Sequence, residues 1–413
     1  MTNMLPRTLV SKVSFLMVFF LFSLSLLNGV HLNEAFNLPG GSVGLFTLLC
    51  LALLPFYKVN YKFFPAASLV LIFFLIYFYV GIKHSLSVEA STISFILIFL
   101  FWVFTYLSLF FNTSDFSQRP LFNSELLLKV GLVINVFFSF IYLFSLYSGV
   151  DYRIFPEPSL FDRELRFSGT FGEPSYLGFF SLFCAFFFLM CRNYRWFFLS
   201  LLILSLTRSK FSIFLFFLGC FIFIFSVFFS KRFFYFLSSF IVFAPFFVLA
   251  FFYYFQHEFW TLIYEYVSFQ QSKTFVTRLG FLLVSFMHLL DYPLGTGFEG
   301  YKLTLKPYLY DFVSIVSYLD VSEMKAYLYD DSVFNDFSPK DVLSFFILSF
   351  GFLGLLLFNF LFISLLYFSR GDNHLSVLVL VFFLSSIFGV QLNSIFFVVF
   401  LIMLNQFKVK RLF

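Results

Sequence analysis

Phe211-Ser-Ile-Phe-Leu-Phe-Phe-Leu-Gly-Cys-Phe-Ile-Phe-Ile-Phe-Ser-Val-Phe-Phe-Ser230 holds no charged residue, while Arg208 and Lys210 stand before it and Lys231 and Arg232 follow it. At a rise of about 1.5 Å per residue, a helix of this length crosses the roughly 30 Å of bilayer hydrocarbon. Apolar side chains fill both faces of the run, so the alternation of a transmembrane β-strand is missing. Similar runs recur along the chain. Of its 413 residues 61% are hydrophobic and only 11% charged, more apolar surface than a soluble core absorbs. The fold class expected is therefore an all-α polytopic integral membrane protein. The 80 phenylalanines suit lipid-facing positions that accept any large apolar side chain, and no aromatic site is read from them.

The runs place spans at about 13–32, 43–57, 63–82, 92–111, 126–148, 174–191, 196–206, 211–230, 233–255 and 342–368. The last apolar region, about 375–406, exceeds one crossing and is interrupted by Gly389, Gln391 and Asn393. Split in two, it brings the count to about twelve transmembrane helices in a single membrane domain, residues 1–413. The first run, ending at Asn28 and Gly29, lacks a small-x-small cleavage pattern and is taken as a span.

Orientation follows the basic residues of the short connections. With the N-terminus inside, the cytoplasmic side receives Arg7, Lys12, Lys58, Lys62, Arg119, Arg192, Arg195, Lys231, Arg232, Arg370, Lys408, Lys410 and Arg411. Both termini are then cytoplasmic. The outer face displays a loop at 149–173, the connection Thr207–Lys210 and a large external loop at 256–341. Within the last, Leu279, Leu282, Leu283, Phe286 and Leu290 recur at helical spacing, which predicts an amphipathic helix resting in the outer interface. Pro293, Gly295 and Gly297 end it.

Net charge is +5 and spread among loops, so a nucleic-acid partner has no support. Cys50, Cys184, Cys191 and Cys220 show no metal-ligand spacing and read as buried thiols. What needs explaining is the outer face, where the positive-inside rule disfavours cations and yet Arg166, Arg208 with Lys210, and Arg278 gather. Arg and Lys at span ends commonly snorkel to headgroups. Three such loops together point to an anionic ligand, most naturally a phosphate or pyrophosphate.

Arg166-Phe-Ser-Gly-Thr-Phe-Gly-Glu-Pro-Ser-Tyr-Leu-Gly178 resembles the outer-loop signature of bacterial O-antigen polymerases. Leu206-Thr-Arg-Ser-Lys210 is similar to their next connection. Arg278 with the helix to Asp291-Tyr-Pro-Leu-Gly-Thr-Gly297, and then Phe350-Gly-Phe-Leu-Gly354, resemble the end of their large loop and the span after it. The resemblance covers roughly residues 150–360, in order. It implies a glycosyltransferase of the O-antigen polymerase and ligase superfamily, with a GT-C-like architecture in the bacterial inner membrane and an active site on the periplasmic face. The implied reaction passes a growing glycan from a polyprenyl-pyrophosphate carrier to the nonreducing end of another lipid-linked repeat unit. The product is a lipopolysaccharide or capsule glycan. Membrane lipid and a chain-length regulator are the implied partners, with no nucleotide sugar, cofactor or metal.

The residues agree with that chemistry. A sugar pyrophosphate has a good leaving group, and the negative charge that develops on it can be stabilised by fixed guanidinium groups. Arg208 and Arg278 are the catalytic candidates, with Arg166, Lys210, Tyr176 and His288 as substrate-binding helpers. Glu173 is either the base for the attacking hydroxyl or a cap at the entrance of the helix that Pro174 opens. Ligases of the superfamily carry a histidine near the end of the large loop, and Asp330–Asp341 has none. The polymerase is therefore favoured over a ligase, and the base stays open among Glu173, Asp291, Asp330, Asp331 and Asp336. A lipid-linked oligosaccharide flippase is the alternative; it calls for charges or broken helices near the midplane, and Lys129 is the clearest charge within a span.

Overall fold

The computed structural model describes Tyr79 and residues 124–148, 174–254, 273–297, 300–316, 320–331, 334, 339, 341–369 and 372–389. The first four predicted spans (Tyr79 apart), the loop bearing Arg166 and Glu173, Asp336 and both termini lie outside the described residues. Every element described is α-helical: α1 (Ser124–Ser148), α2 (Pro174–Met190), α3 (Tyr194–Leu206), α4 (Lys210–Phe228), α5 (Lys231–Val242), α6 (Ala244–Tyr254), α7 (Lys273–Asp291), α8 (Tyr301–Thr304), α9 (Lys306–Ile315), α10 (Ser322–Tyr329), α11 (Val342–Ser369) and α12 (Asn373–Phe388). Among the described residues, α4 and the stretch Val342–Tyr367 of α11 are long and apolar enough to cross a membrane, and the bent pair α5–α6 makes a third if it acts as one span. The helices Pro174–Met190, Tyr194–Leu206 and Asn373–Ile387 are apolar but shorter.

The described residues divide into two compact units, with the boundary inside α4 between Phe217 and Leu218. In the first unit α2 packs along α3, and α1 touches both. Pro174 opens α2, where its missing N–H leaves no partner wanting. Phe179, Phe180, Phe183, Phe186, Phe187 and Phe188 of this helix are all fully buried. Phenylalanine is thus the core residue here as well as the exposed residue of α4, where Phe214 and Phe217 face outward. The lipid-facing use expected from the sequence is therefore not its sole use: a helix wrapped by neighbours needs the same bulk inside. Of the thiols described, Cys184 is buried, whereas Cys191 and Cys220 are only partly so.

In the second unit α7 is central. It packs against α11, α9, α10 and α12. Side chains from Val276 to Leu289 are buried apart from the half-buried Leu279 and Met287. The amphipathic helix predicted to rest in the membrane interface is instead enclosed, because its polar residues Thr277, Arg278, Ser285 and His288 face other helices. Two departures from straight spans also appear. The predicted span at 233–255 bends by 42° between α5 and α6. Pro245, in the first turn of α6, lacks the N–H that would continue the ladder and its ring crowds the carbonyl of Ile241. The second departure is in α11, which breaks at Gly351 (φ 61°, ψ −139°).

Candidate functional site

Of the three cationic loops expected, that of Arg166 lies outside the described residues, and the other two can each be described within its own unit. In the first, the turn between α3 and α4 is knitted by hydroxyls. Thr207 Oγ1 donates to the Leu204 carbonyl at 2.7 Å and accepts from the Ser209 amide at 3.3 Å. Ser209 Oγ accepts from the Ser212 amide at 3.4 Å and lies 2.9 Å from Ser212 Oγ. Thr207, Ser209 and Ser212 are buried, whereas Arg208 and Lys210 are exposed. Arg208 sits in the left-handed region at φ 49°, which costs a residue other than glycine about 1 kcal/mol. The turn therefore alternates anchors and outward cations, aiming both charges away from the packed side.

Against its anchored side lies Gly178, the last residue of the Gly-Glu-Pro-Ser-Tyr-Leu-Gly stretch. A Cβ placed there would come 2.7 Å from Ser212 Oγ and 3.0 Å from Ser209 Cβ. Tyr176 is half-buried in the first turn of α2. Two of the motifs singled out in the sequence are thus brought into contact by a missing side chain.

A second pair of motifs meets in the other unit. The break at Gly351 frees backbone groups of α11, and the Pro293–Gly297 segment takes them up. Thr296 and Gly297 amides donate to the Leu348 and Ser349 carbonyls at 3.1 and 3.0 Å, and the Phe352 amide donates to the Pro293 carbonyl at 2.8 Å. Irregular backbone in an apolar setting is tolerated only when it is satisfied this way. The joint fixes the end of α7 to the first third of α11, and so positions what these helices carry.

Arg278, near the start of α7, is 7% exposed. Asp341, fully buried, stands just ahead of the α11 span, where its carboxylate accepts from the Ser344 amide at 2.6 Å and from Ser344 Oγ at 2.8 Å. Burial pushes the Asp341 carboxyl up to about 7; the Ser344 hydrogen bonds and the positive charge of Arg278 pull the other way. A guanidinium and a carboxyl group are thus both withdrawn from water in this unit.

His288, two turns and more along α7, is fully buried in different company. Its Nε2 lies 2.8 Å from Thr304 Oγ1, its ring stacks on Tyr292 with centroids 4.6 Å apart, and Tyr308 meets it edge-on at 5.4 Å. Tyr308 donates to Asp291 Oδ2 at 2.7 Å, and burial followed by that bond raises the tyrosine above its ordinary range. Arg278 and His288 are not one group, but two neighbourhoods on one helix.

Among the proposed bases, Asp291 is held by Tyr308, Asp331 pairs with Lys306 on the surface, and Asp330 is exposed at the end of α10. Asp341 was missed. Its signal was legible: an Asp with Ser344 three residues on, directly before an apolar run, is a helix N-cap pattern. What the pattern does not disclose is that the cap is fully buried. Lys129, the within-span charge, is paired locally: it lies 2.7 Å from Glu125 and 5.4 Å from the Trp196 ring centre, and Asn193 donates to the same Glu125 oxygen at 2.7 Å.

Fold and site together define a class, an all-helical protein whose apolar helices are compatible with a membrane. No family model, no curated protein and no solved structure matches the chain.

Proposed function

We propose that the chain is a surface-polysaccharide polymerase: a glycosyltransferase that moves a growing glycan from a polyprenyl-pyrophosphate carrier to another lipid-linked repeat unit. The observation that carries this reading is Arg278, a guanidinium kept 7% exposed within an otherwise apolar helical core. Placing a charge there is costly, and ionisable side chains in an apolar helical setting commonly mark functional sites. In a low-dielectric setting it stabilises a diphosphate leaving group far better than in water, and its planar fork orients the anomeric carbon for in-line attack. The meeting of the resembling motifs in two pairs, Gly178 with the Thr207–Ser209 turn and Pro293–Gly297 with Gly351, supports the resemblance. The membrane is the bacterial inner membrane in this reading, with about twelve spans.

The test is a surface-glycan ladder from cells lacking the native copy, complemented with wild type, Arg278→Ala or Arg278→Lys at matched membrane levels. Wild type restores the ladder, and both variants leave single repeat units, with transfer about 100-fold slower or worse. Normal ladders from both variants would remove Arg278 from the chemistry.

A flippase is the second reading, and the broken helix α11 favours it, since transporters build sites from discontinuous spans. Against it, the groups freed at Gly351 are taken by Pro293–Gly297 rather than left to line a path, and Lys129 is neutralised by Glu125. Absence of repeat units from the outer face in cells without the protein would decide for transport.

A further inference from the structure

Asp291 is the last residue of α7, where the negative end of the helix dipole disfavours a carboxylate, and yet it is built into a layer of fixed side chains. Tyr308 of α9 donates to its Oδ2 at 2.7 Å. The Tyr308 ring meets the fully buried His288 edge-on, and His288 stacks on Tyr292 with the ring planes 20° apart. Thr304 of α8 fixes the histidine from behind, its Oγ1 2.8 Å from Nε2. Burial, and then the bond to Asp291, raise the Tyr308 phenol above its ordinary range, so it stays protonated and donating. Closed at His288, the layer opens at its other side: Tyr292 and Tyr308 are half-buried and Asp291 is exposed. Asp291 spends one oxygen on Tyr308 and can give the other to a ligand.

We propose that Asp291, with Tyr308 and Tyr292, holds one sugar ring of the glycan at a point several units away from the bond being made. This rests on the reading of the chain as a polysaccharide polymerase with the diphosphate at Arg278. A sugar ring offers what the layer can take: hydroxyls that donate to a carboxylate, and a C–H face that packs on an aromatic ring. A divalent cation suits it less, since among the described residues no three His, Cys, Asp or Glu gather to hold one. The place on α7 sets the role. Arg278 lies on the same helix, about 20 Å away along its axis at about 1.5 Å per residue. A hydroxyl attacking an anomeric carbon whose diphosphate sits on Arg278 is beyond hydrogen-bond reach of Asp291, so Asp291 is not its base. A longer saccharide spans the interval. The site therefore selects the glycan rather than reacting with it.

The experiment takes the purified full-length protein in detergent and the lipid-linked repeat units that accumulate in cells lacking it, and follows the rate of polymer formation against substrate concentration. Asp291→Asn keeps an acceptor oxygen for Tyr308 and removes the charge offered to the sugar. It should raise the concentration for half-maximal rate by about tenfold or more, as expected for losing a hydrogen bond to a charged group. The maximal rate should stay within about twofold of wild type, because the contact is made equally before and during transfer. Tyr308→Phe, which lets the carboxylate turn, should move the same constant by less. Arg278→Ala should instead lower the maximal rate. Both constants unchanged in Asp291→Asn would overturn the sugar site while leaving the polymerase reading standing. A maximal rate cut about 100-fold at an unchanged half-maximal concentration would overturn it as well, by placing Asp291 at the reacting bond. If wild type forms no polymer from these units, the polymerase reading falls and the sugar site with it.

Discussion

A Cβ built on Gly295 would lie 2.5 Å from the amide nitrogen of Gly351. The two glycines are backbone against backbone, one in the loop that ends α7 and one at the break of α11, both at positive φ (71° and 61°). This joint seats α7 beside α11. Sequence pattern alone offered Pro293–Gly297 as a turn and Phe350–Gly354 as part of a span, with no reason to connect them.

Alanine at Gly295 or Gly351 therefore meets main-chain atoms that cannot move aside, in a conformation that L-residues avoid. Each substitution should destabilise by about 3 kcal/mol or more, combining left-handed strain with overpacking. Thermal unfolding of the detergent-solubilised protein checks this. A change within about 0.5 kcal/mol at both positions would mean the joint is not formed.

Gly178 offers a softer version of the same contact, because what a methyl would meet is the side chain of Ser212. Gly178→Ala should cost about 1–3 kcal/mol through overpacking, offset in part by the better helix propensity of alanine. Adding Ser212→Ala removes the nearest atom, and the double variant should recover about 1 kcal/mol of the loss. Strict additivity in the cycle would separate α2 from the Thr207–Ser212 corner.

Helix starts were readable wherever one residue settles the matter locally. Pro174 opens α2, basic residues bound α4, and the apolar run after Asp341 begins α11 where expected. The bend at α5–α6 was also present in the letters, as Pro245, but the run of phenylalanines around it is apolar on both sides and hides the interruption. The burial of α7 was not readable. Its leucines mark one apolar stripe at helical period, and period names the element without naming what covers its other faces. Arg278, Ser285 and His288 lie on surfaces that would be polar and wet in an isolated helix; only α9, α10, α11 and α12 packing around them makes those surfaces interior. Asp341 escaped notice for the same reason, since its burial is set by packing that its own neighbours in sequence do not disclose.

Lys129 distinguishes transport from transfer. Its side chain is about a quarter exposed and its charge is met within one helical turn by Glu125, with Trp196 beneath it. Such a part-exposed pair contributes about 0.5–1 kcal/mol. Lys129→Met should lower stability by about that amount and leave export of repeat units and ladder formation within about twofold of wild type. Loss of outer-face repeat units in this variant, at normal protein level, would show that the charge lines a path.

Asp341 makes stability depend on pH in a direction opposite to that of a salt-bridged surface carboxylate. Its folded-state value, about 7, lies above the ordinary 3.8, so the folded protein binds the extra proton between those values. Its contribution to stability is full at the acid end, declines as pH rises from about 4 to about 7, and is gone above the folded value. The melting temperature of wild type should therefore fall by several degrees between pH about 5 and about 8. Arg278 moderates the fall, since its positive charge favours the ionised carboxyl. Removing that charge with Arg278→Met should steepen the decline, and Asp341→Asn should flatten it while keeping the cap on α11. A wild-type profile that rises over the same interval, or an Asp341→Asn profile that parallels it, would place the titrating group elsewhere and deny that burial governs this carboxyl.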